Sequence, residues 1–346
     1  MNVRLYIKKL SDNRAALMGI ATLMVMIHHI TWKSSTGVVS YIYMFVRHLG
    51  AGGVDIFLFL SGFGLHYSFK KSKRIFEFYK NRFLRIIPTY FLIATPWYFY
   101  FDVLKDNNWL LFGGDLSTIS FLFCGDRGHW YIFGIIVLYL FYPLWNKCLN
   151  RKFTMTICTF IMVWLAVVVG IASVDGELFS RINVFLMRIP VFFIGTVTGE
   201  LSNRTFEINR TQFRVLNSLL FVTAIMSEGW LCINGMQYSA AARLLYTPMA
   251  LGICYIGTRI ESLKNLYGVL KWIGGISLEV YLIHMKCTHI LTKILEDQNL
   301  AFVNMLSIVI SIALGYLAGL IVKQSVYLKT RGKLLVKSSK NHGFGA

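Results

Sequence analysis

RAALMGIATLMVMIHHI, Arg14 to Ile30, starts on a single cation, runs without a charge to two adjacent imidazoles, His28 and His29, and then ends. A run of this length and hydropathy reads as a helix that enters a bilayer. An imidazole deep in such a helix must find a partner or line a wet cavity, because an unsatisfied polar group in hydrocarbon costs several kcal/mol. Intramembrane ionisable groups are therefore functional candidates. The blander alternative, a histidine pair resting among the outer headgroups, stays open from these residues alone.

The rest of the chain has the same character. Of 346 residues, 56% are hydrophobic and only 15% charged, too few charges to cover the surface of a water-soluble domain of this size. The expected fold class is all-α, a polytopic membrane protein of about ten crossings of roughly 20 residues each. They fall near 15–33, 50–69, 83–101, 129–147, 153–171, 183–201, 213–231, 240–258, 270–290 and 301–322. The stretch 109–123 contains Gly113, Gly114 and Asp115 and reads as a re-entrant or interfacial piece. The first apolar run has no small-residue cleavage site, so it reads as a retained helix. Net charge is +19, which by itself suits a nucleic-acid binder. The cations instead sit in short blocks between apolar runs, as cytoplasmic loops require. KKSKRIFEFYKNRFLR (Lys70 to Arg85) is the largest block, and Asp102, Asp106, Asp126, Asp175, Glu177, Glu296 and Asp297 fall in the intervening loops. This reading excludes nucleic acid as a partner, makes the lipid bilayer one, and puts both termini in the cytoplasm. Residues 1–323 form the membrane domain, and 324–346 a basic, disordered tail along the anionic leaflet. The six cysteines have no CxxC spacing, so neither a metal site nor a disulfide framework is expected.

Several polar groups share the expected depth of His29. Asp55 enters the second span within GAGGVDIFLFLSGFGL (Gly50 to Leu65), and an isolated carboxylate there needs a cationic or hydrogen-bonding partner. The antiparallel run of the first two spans sets it level with His29, where a carboxylate orienting an imidazole is a recurrent acid–base arrangement. The glycines suit either close helix approach or room for a ligand. Arg188 lies inside an apolar span beside Pro190, and Glu279, Tyr281 and His284 lie in SLEVYLIHM (Ser277 to Met285). Pairing into one polar cavity satisfies such groups together. Arg82 and Arg85 share a helix face at the cytoplasmic mouth. They suit either a phosphate clamp or ordinary positive-inside anchoring. His129 and Trp130 fall at the outer interface, where Trp is a common belt residue.

These residues resemble a family. The chain is similar to the integral-membrane acyltransferase-3 type, the O-acetyltransferases of bacterial surface polysaccharides and related glycans, over nearly its whole length. The histidine of that family's first helix is matched at His29 within GIATLMVMIHH, and its Gly-Val-Asp…Leu-Ser-Gly-Phe stretch at Gly53 to Phe63, which includes Ser61. Its RxxR motif is matched by Arg82-Phe-Leu-Arg85 with IIPTYFL after it. Trp130-Tyr-Ile, Arg188-Ile-Pro and Tyr281-Leu-Ile-His284 follow in order. Two departures stand out. Met18 occupies the place of the family's cation eleven residues before the histidine, with Arg14 one turn earlier on the same face. The glutamate that many members carry after the tryptophan is absent from Phe133 to Val137, and Glu279 is the candidate to supply it. His28 leaves the histidine assignment open by one residue.

The resemblance implies a multi-pass enzyme of the bacterial cytoplasmic membrane. It implies acyl-CoA, acetyl-CoA first, as cytoplasmic co-substrate, a hydroxyl of a surface or lipid-linked glycan as acceptor, and no bound cofactor. His29 or His28, with Asp55 and Glu279, would form the catalytic group, acting by direct transfer or through an acyl-enzyme. Arg14, Arg82, Arg85, Ser61, Trp130, Arg188, Tyr281 and His284 would bind the substrates. No esterase domain is appended, so transfer is expected to finish within this chain or on a partner. A glycan transporter or flippase without acyl transfer, and a non-catalytic receptor, remain as rival readings. The oligomeric state is open.

Overall fold

In the computed structural model, residues 3–30, 38–125, 128–204, 210–234 and 240–341 are described. Among them there is no strand. The chain starts with α1 (Val3–Asp12), α2 (Arg14–His28), α3 (Val38–Ala51), α4 (Gly53–Lys71) and α5 (Ile75–Tyr98), which a π-helical turn extends through Phe99–Lys105. Two short helices follow, α6 (Trp109–Leu116) and α7 (Ser120–Cys124), then α8 (Trp130–Arg151), α9 (Phe153–Val174), α10 (Gly176–Leu186) and α11 (Ile189–Leu201). The last are α12 (Arg210–Asn234), α13 (Ala240–Gly257), α14 (Lys264–Gly275), α15 (Ser277–Ile294) and α16 (Leu300–Asn341).

Five helical stretches are long and apolar enough to cross a membrane, or seven if each of two bent pairs counts as one crossing. Each of the expected crossings overlaps a helix, but α5, α12 and α13 do not pass this measure. In α5 the charges from Glu77 to Arg85 belong to the helix itself, because Lys, Arg and Glu are good helix formers and carry it back to Ile75. α13 carries Arg243 and Pro248. Two spans expected to be continuous are broken. The one near 183–201 divides at Met187 and Arg188, since Pro190 cannot continue an incoming helix but suits the first turn of a new one. The one near 270–290 bends by 78° after the Gly274–Gly275 pair, between α14 and α15. α1 and α2 meet at 63°. The apolar part of α16 runs from Leu300 to Ser325, and the helix continues through the basic stretch to Asn341.

Glycines bring the inner helices into backbone contact. A Cβ on Gly62 would strike the carbonyl of Phe192, and one on Gly195 the carbonyl of Phe59, so α4 and α11 touch main chain to main chain. Gly19 and Gly274 do the same for α2 and α14, against the carbonyls of Leu270 and Ala15. Small residues at such crossings are how membrane helices gain packing that lipid cannot supply. Of the two roles open to the glycines of the second span, Gly62 takes close approach. These contacts join α4 to α11 and α2 to α14, while α9 has no buried residue.

Candidate active site

Two cavities lie along α2. The smaller, of about 60 Å³, is lined by Arg14 at the start of α2, Arg82 and Arg85 on α5, Ser61 on α4, Tyr139 on α8 and Tyr281 on α15. Arg14 Nε donates to the carbonyl of Leu60 at 3.0 Å, and its guanidinium lies against Gly64, where any side chain would displace it. Arg82 is hydrogen-bonded to Tyr139, and Ser61 to Tyr131. Three guanidiniums from two helices thus face one space, an arrangement that desolvation and mutual repulsion oppose unless an anion is bound there. Arg82 and Arg85, at i and i+3, both line this space, and Arg14 joins them from a helix about 70 positions earlier.

The larger cavity, of about 380 Å³, lies at the opposite end of α2, about 22 Å along its axis. His28, His29, Trp130, Arg188, Arg243, Tyr281 and Lys286 are among its lining residues. Tyr281 belongs to both cavities. Its ring packs 4.9 Å from Tyr131 and 6.2 Å from Phe57, centre to centre, so an aromatic cluster separates the arginine side from the histidine side. A third, shallower pocket continues past His29 along Met285, Thr288, His289, Thr292 and Lys293. One face of α15 therefore lines all three spaces, from Ser277 at one end to Lys293 at the other.

The hydrogen bonds around His29 assign its tautomer. His284 Nδ1 lies 2.7 Å from the carbonyl of Tyr281, which can only accept, so the proton is on Nδ1 and Nε2 carries a lone pair. That Nε2 lies 3.2 Å from His29 Nδ1, which is also 2.8 Å from the carbonyl of Val25. His29 Nδ1 is thus the protonated nitrogen, donating to both, and Nε2 is left as the basic atom. His28 follows the same logic through Nδ1 and the carbonyl of Arg47, at 2.8 Å. Both histidines present a basic Nε2, and the geometry leaves the choice between them open.

Asp55 does not orient His29. The carboxylate is wholly buried and accepts from Arg188 Nε at 3.1 Å. The reason lies in the break between α10 and α11. Arg188 sits where the helix is interrupted, donates from Nη1 to the carbonyl of Val184, and stands over the rings of Trp130 and Tyr246. A full cation reaching Asp55 outcompetes a neutral imidazole. The orienting role expected of the carboxylate is taken by His284 and Val25. Glu279 is a second correction. It accepts from Thr89 of α5 at 3.4 Å and lies near Gly319 of α16, on another side of α15 from the cavity. Trp130 is 7% exposed and lines the cavity, so it is no belt residue. His129 is buried as well, held between Tyr98 and Ser120 at 3.0 Å each, with Ser120 in turn on Asp115. This chain folds the 109–123 stretch back on the bundle.

Arg243, Tyr246, Lys286 and His289, which the family motifs do not mark, also line the larger cavity. The signal was present for two of them: Lys286 and His289 follow His284 inside the same apolar run.

A family model described as an acyltransferase domain, that of the acyltransferase-3 type, matches residues 16–323. No curated protein and no solved structure gives a significant match.

Proposed function

This chain belongs to the acyltransferase-3 family, and from that premise we propose that it moves an acyl group, acetyl in the first instance, from cytoplasmic acyl-CoA to a hydroxyl of a surface or lipid-linked glycan. The observation that carries the reading is the pair of cavities meeting at Tyr281, with guanidiniums on one side and imidazoles on the other. Phosphate is the ligand chemistry that a cluster of guanidiniums suits, and a basic imidazole is what a hydroxyl needs to become a nucleophile. The thioester would reach past Tyr281, leaving the nucleotide end of CoA among Arg14, Arg82 and Arg85.

In the transfer, His29 Nε2 takes the proton of the acceptor hydroxyl as its oxygen bonds to the thioester carbonyl. The tetrahedral adduct collapses with cleavage of the carbon–sulfur bond, and the imidazolium returns the proton to the departing thiolate. The products are the ester and free CoA. An acyl-histidine route uses the same atom as nucleophile. His284 and Val25 keep Nε2 aimed at the cavity, and Asp55 holds Arg188 in its wall.

In the same reading the chain crosses the bacterial cytoplasmic membrane ten times with both termini inside. The charge blocks support it, since the arginine cavity then opens toward the compartment that holds acyl-CoA. The test is turnover in proteoliposomes. Release of CoA from acetyl-CoA should require a membrane fraction that supplies the acceptor, and should be lost on His29→Ala. Loss on His28→Ala with retention in His29→Ala would move the base to the neighbour. Retention in both would remove the histidines from the chemistry.

A further inference from the structure

The elbow between α3 and α4 is seated on α2 beside the two histidines. A Cβ on Gly50 would stand 2.8 Å from the backbone nitrogen of His28 and 2.6 Å from the carbonyl of Met24. One on Gly53 would meet the carbonyl of Ala21 at 2.6 Å. Ala51 and Val54, next to these glycines, line the larger cavity, as does Val25 of α2. Apart from His28 and His29, every residue that α2, α3 and α4 give to this cavity is apolar. Its cations come from other elements, Arg188 from the break between α10 and α11, Arg243 from α13 and Lys286 from α15. The cavity therefore has an apolar side, and the histidines stand on it.

That side is also the end of a track from the arginines. Val54, Phe57 and Ser61, at i, i+3 and i+7, share one face of α4. Ser61 and Phe57 line the smaller cavity and Val54 the larger, so the face passes Tyr281 and joins the two over about 10 Å of helix. A donor held at Arg14, Arg82 and Arg85, with its carbonyl at His29, points its acyl tail at the elbow. An acetyl group ends one methyl beyond the reacting carbon and leaves most of that apolar surface wet. Resting on the acyl-transfer reading, we propose that Val25, Ala51 and Val54 form an acyl subsite for straight saturated groups longer than acetyl, of the butyryl class. Ala51, the smallest side chain of the three, sets the room for them. The reaction balances as for acetyl: the butyryl carbonyl carbon bonds to the acceptor oxygen and its bond to the CoA sulfur breaks. The hydroxyl proton passes through the histidine to the departing thiolate. Each methylene buried in the subsite should favour the donor about fourfold.

The experiment gives proteoliposomes, with a membrane fraction that supplies the acceptor, equal amounts of acetyl-CoA and butyryl-CoA bearing different radiolabels in the acyl group. The ratio of the two labels in the extracted product is the ratio of the two kcat/KM values, and it does not depend on how much of the protein has folded. In the parent, butyryl should equal or exceed acetyl. Ala51→Leu should lower the butyryl-to-acetyl ratio about tenfold, close to the loss of two buried methylenes. Val54→Ala should raise the hexanoyl-to-butyryl ratio about fourfold. A parent that transfers acetyl alone overturns the subsite. So does one that prefers succinyl-CoA to butyryl-CoA, since a terminal carboxylate belongs with the cations and not against Ala51. Parental ratios in both variants also overturn it, whereas a shift in either, with butyryl used by the parent, supports it. Should Ala51→Leu give no label from either donor, the Val54→Ala ratio decides. No label from any CoA ester with the parent would overturn the acyl-transfer reading itself, a result distinct from acetyl alone.

Discussion

The two ends of α2 are built on different principles. At Arg14 the space is tight, and the guanidinium is pinned by a helix carbonyl and by the absence of a side chain on Gly64. At His29 the space is about six times larger, about 380 against 60 Å³, and its walls come from at least five helices. The first end suits a ligand part that is always the same, and fixed cations recognise phosphate with little reorganisation. The second offers room for a bulkier ligand beside two imidazoles, those of His28 and His29. What the contrast teaches is that the family's shared chemistry and its acceptor choice need not reside in the same residues.

The sharpest way to break the contrast is at the reactive atom. His29→Ala should reduce acyl transfer by about a hundred- to ten-thousandfold, the usual range for a general base, while leaving retention on CoA-agarose at the parental level. Loss of both would show that the two ends are not separable. Next in size is Asp55→Asn. It leaves Arg188 buried without its counter-charge, and breaking a buried ion pair costs about 3–5 kcal/mol. The expected readout is a lower melting temperature in detergent, and charge removal at both ends in Asp55→Asn/Arg188→Met should recover much of it. An Asp55→Asn protein as stable as the parent would demote the pair to a loose contact.

The arginine end should respond more mildly and more selectively. Lysine at both Arg82 and Arg85 keeps the charge but loses the planar fork. Each lost charge-assisted bond is worth about 1.5–3 kcal/mol, so the apparent Michaelis constant for acetyl-CoA should rise about ten- to a hundredfold, with that for the acceptor nearly unchanged. An unchanged constant would return both arginines to positive-inside anchoring. The smallest effect belongs on α9, where Leu165→Ala should shift stability by about 0.5 kcal/mol or less, since the side chain faces out of the bundle. A larger loss would mean that α9 packs against something besides lipid.

The chain's own residues made much of this legible. The apolar runs announce helices, and Arg82, Arg85, Asp55, Arg188, His29 and Tyr281 stand out because a polar group in such a run needs a reason. Arg14, His29 and the RxxR pair could be ordered along one axis from helix rise and charge alone. Hydropathy could not say which helices lie inside. α9 is the most apolar candidate span, with mean hydropathy 2.6, and none of that span is buried. The stretch Ile42–Lys71, at 1.4, is 89% buried. In hydrocarbon the solvent is itself apolar, so the interior is chosen by polar partners and by glycines that let backbones touch.

Composition and order alone determined an all-α membrane chain, its acyltransferase resemblance and several of the ionisable groups that line the two cavities. Only the tertiary structure decided who pairs with whom. Asp55 went to Arg188 and not to His29, Glu279 turned to Thr89, and His284 became the partner of His29 across 255 positions. A helical register gives depth and face to within a residue or two. It does not give the rotation of one helix against another, and over a few ångströms that rotation selects a guanidinium, an imidazole or a threonine as a carboxylate's partner.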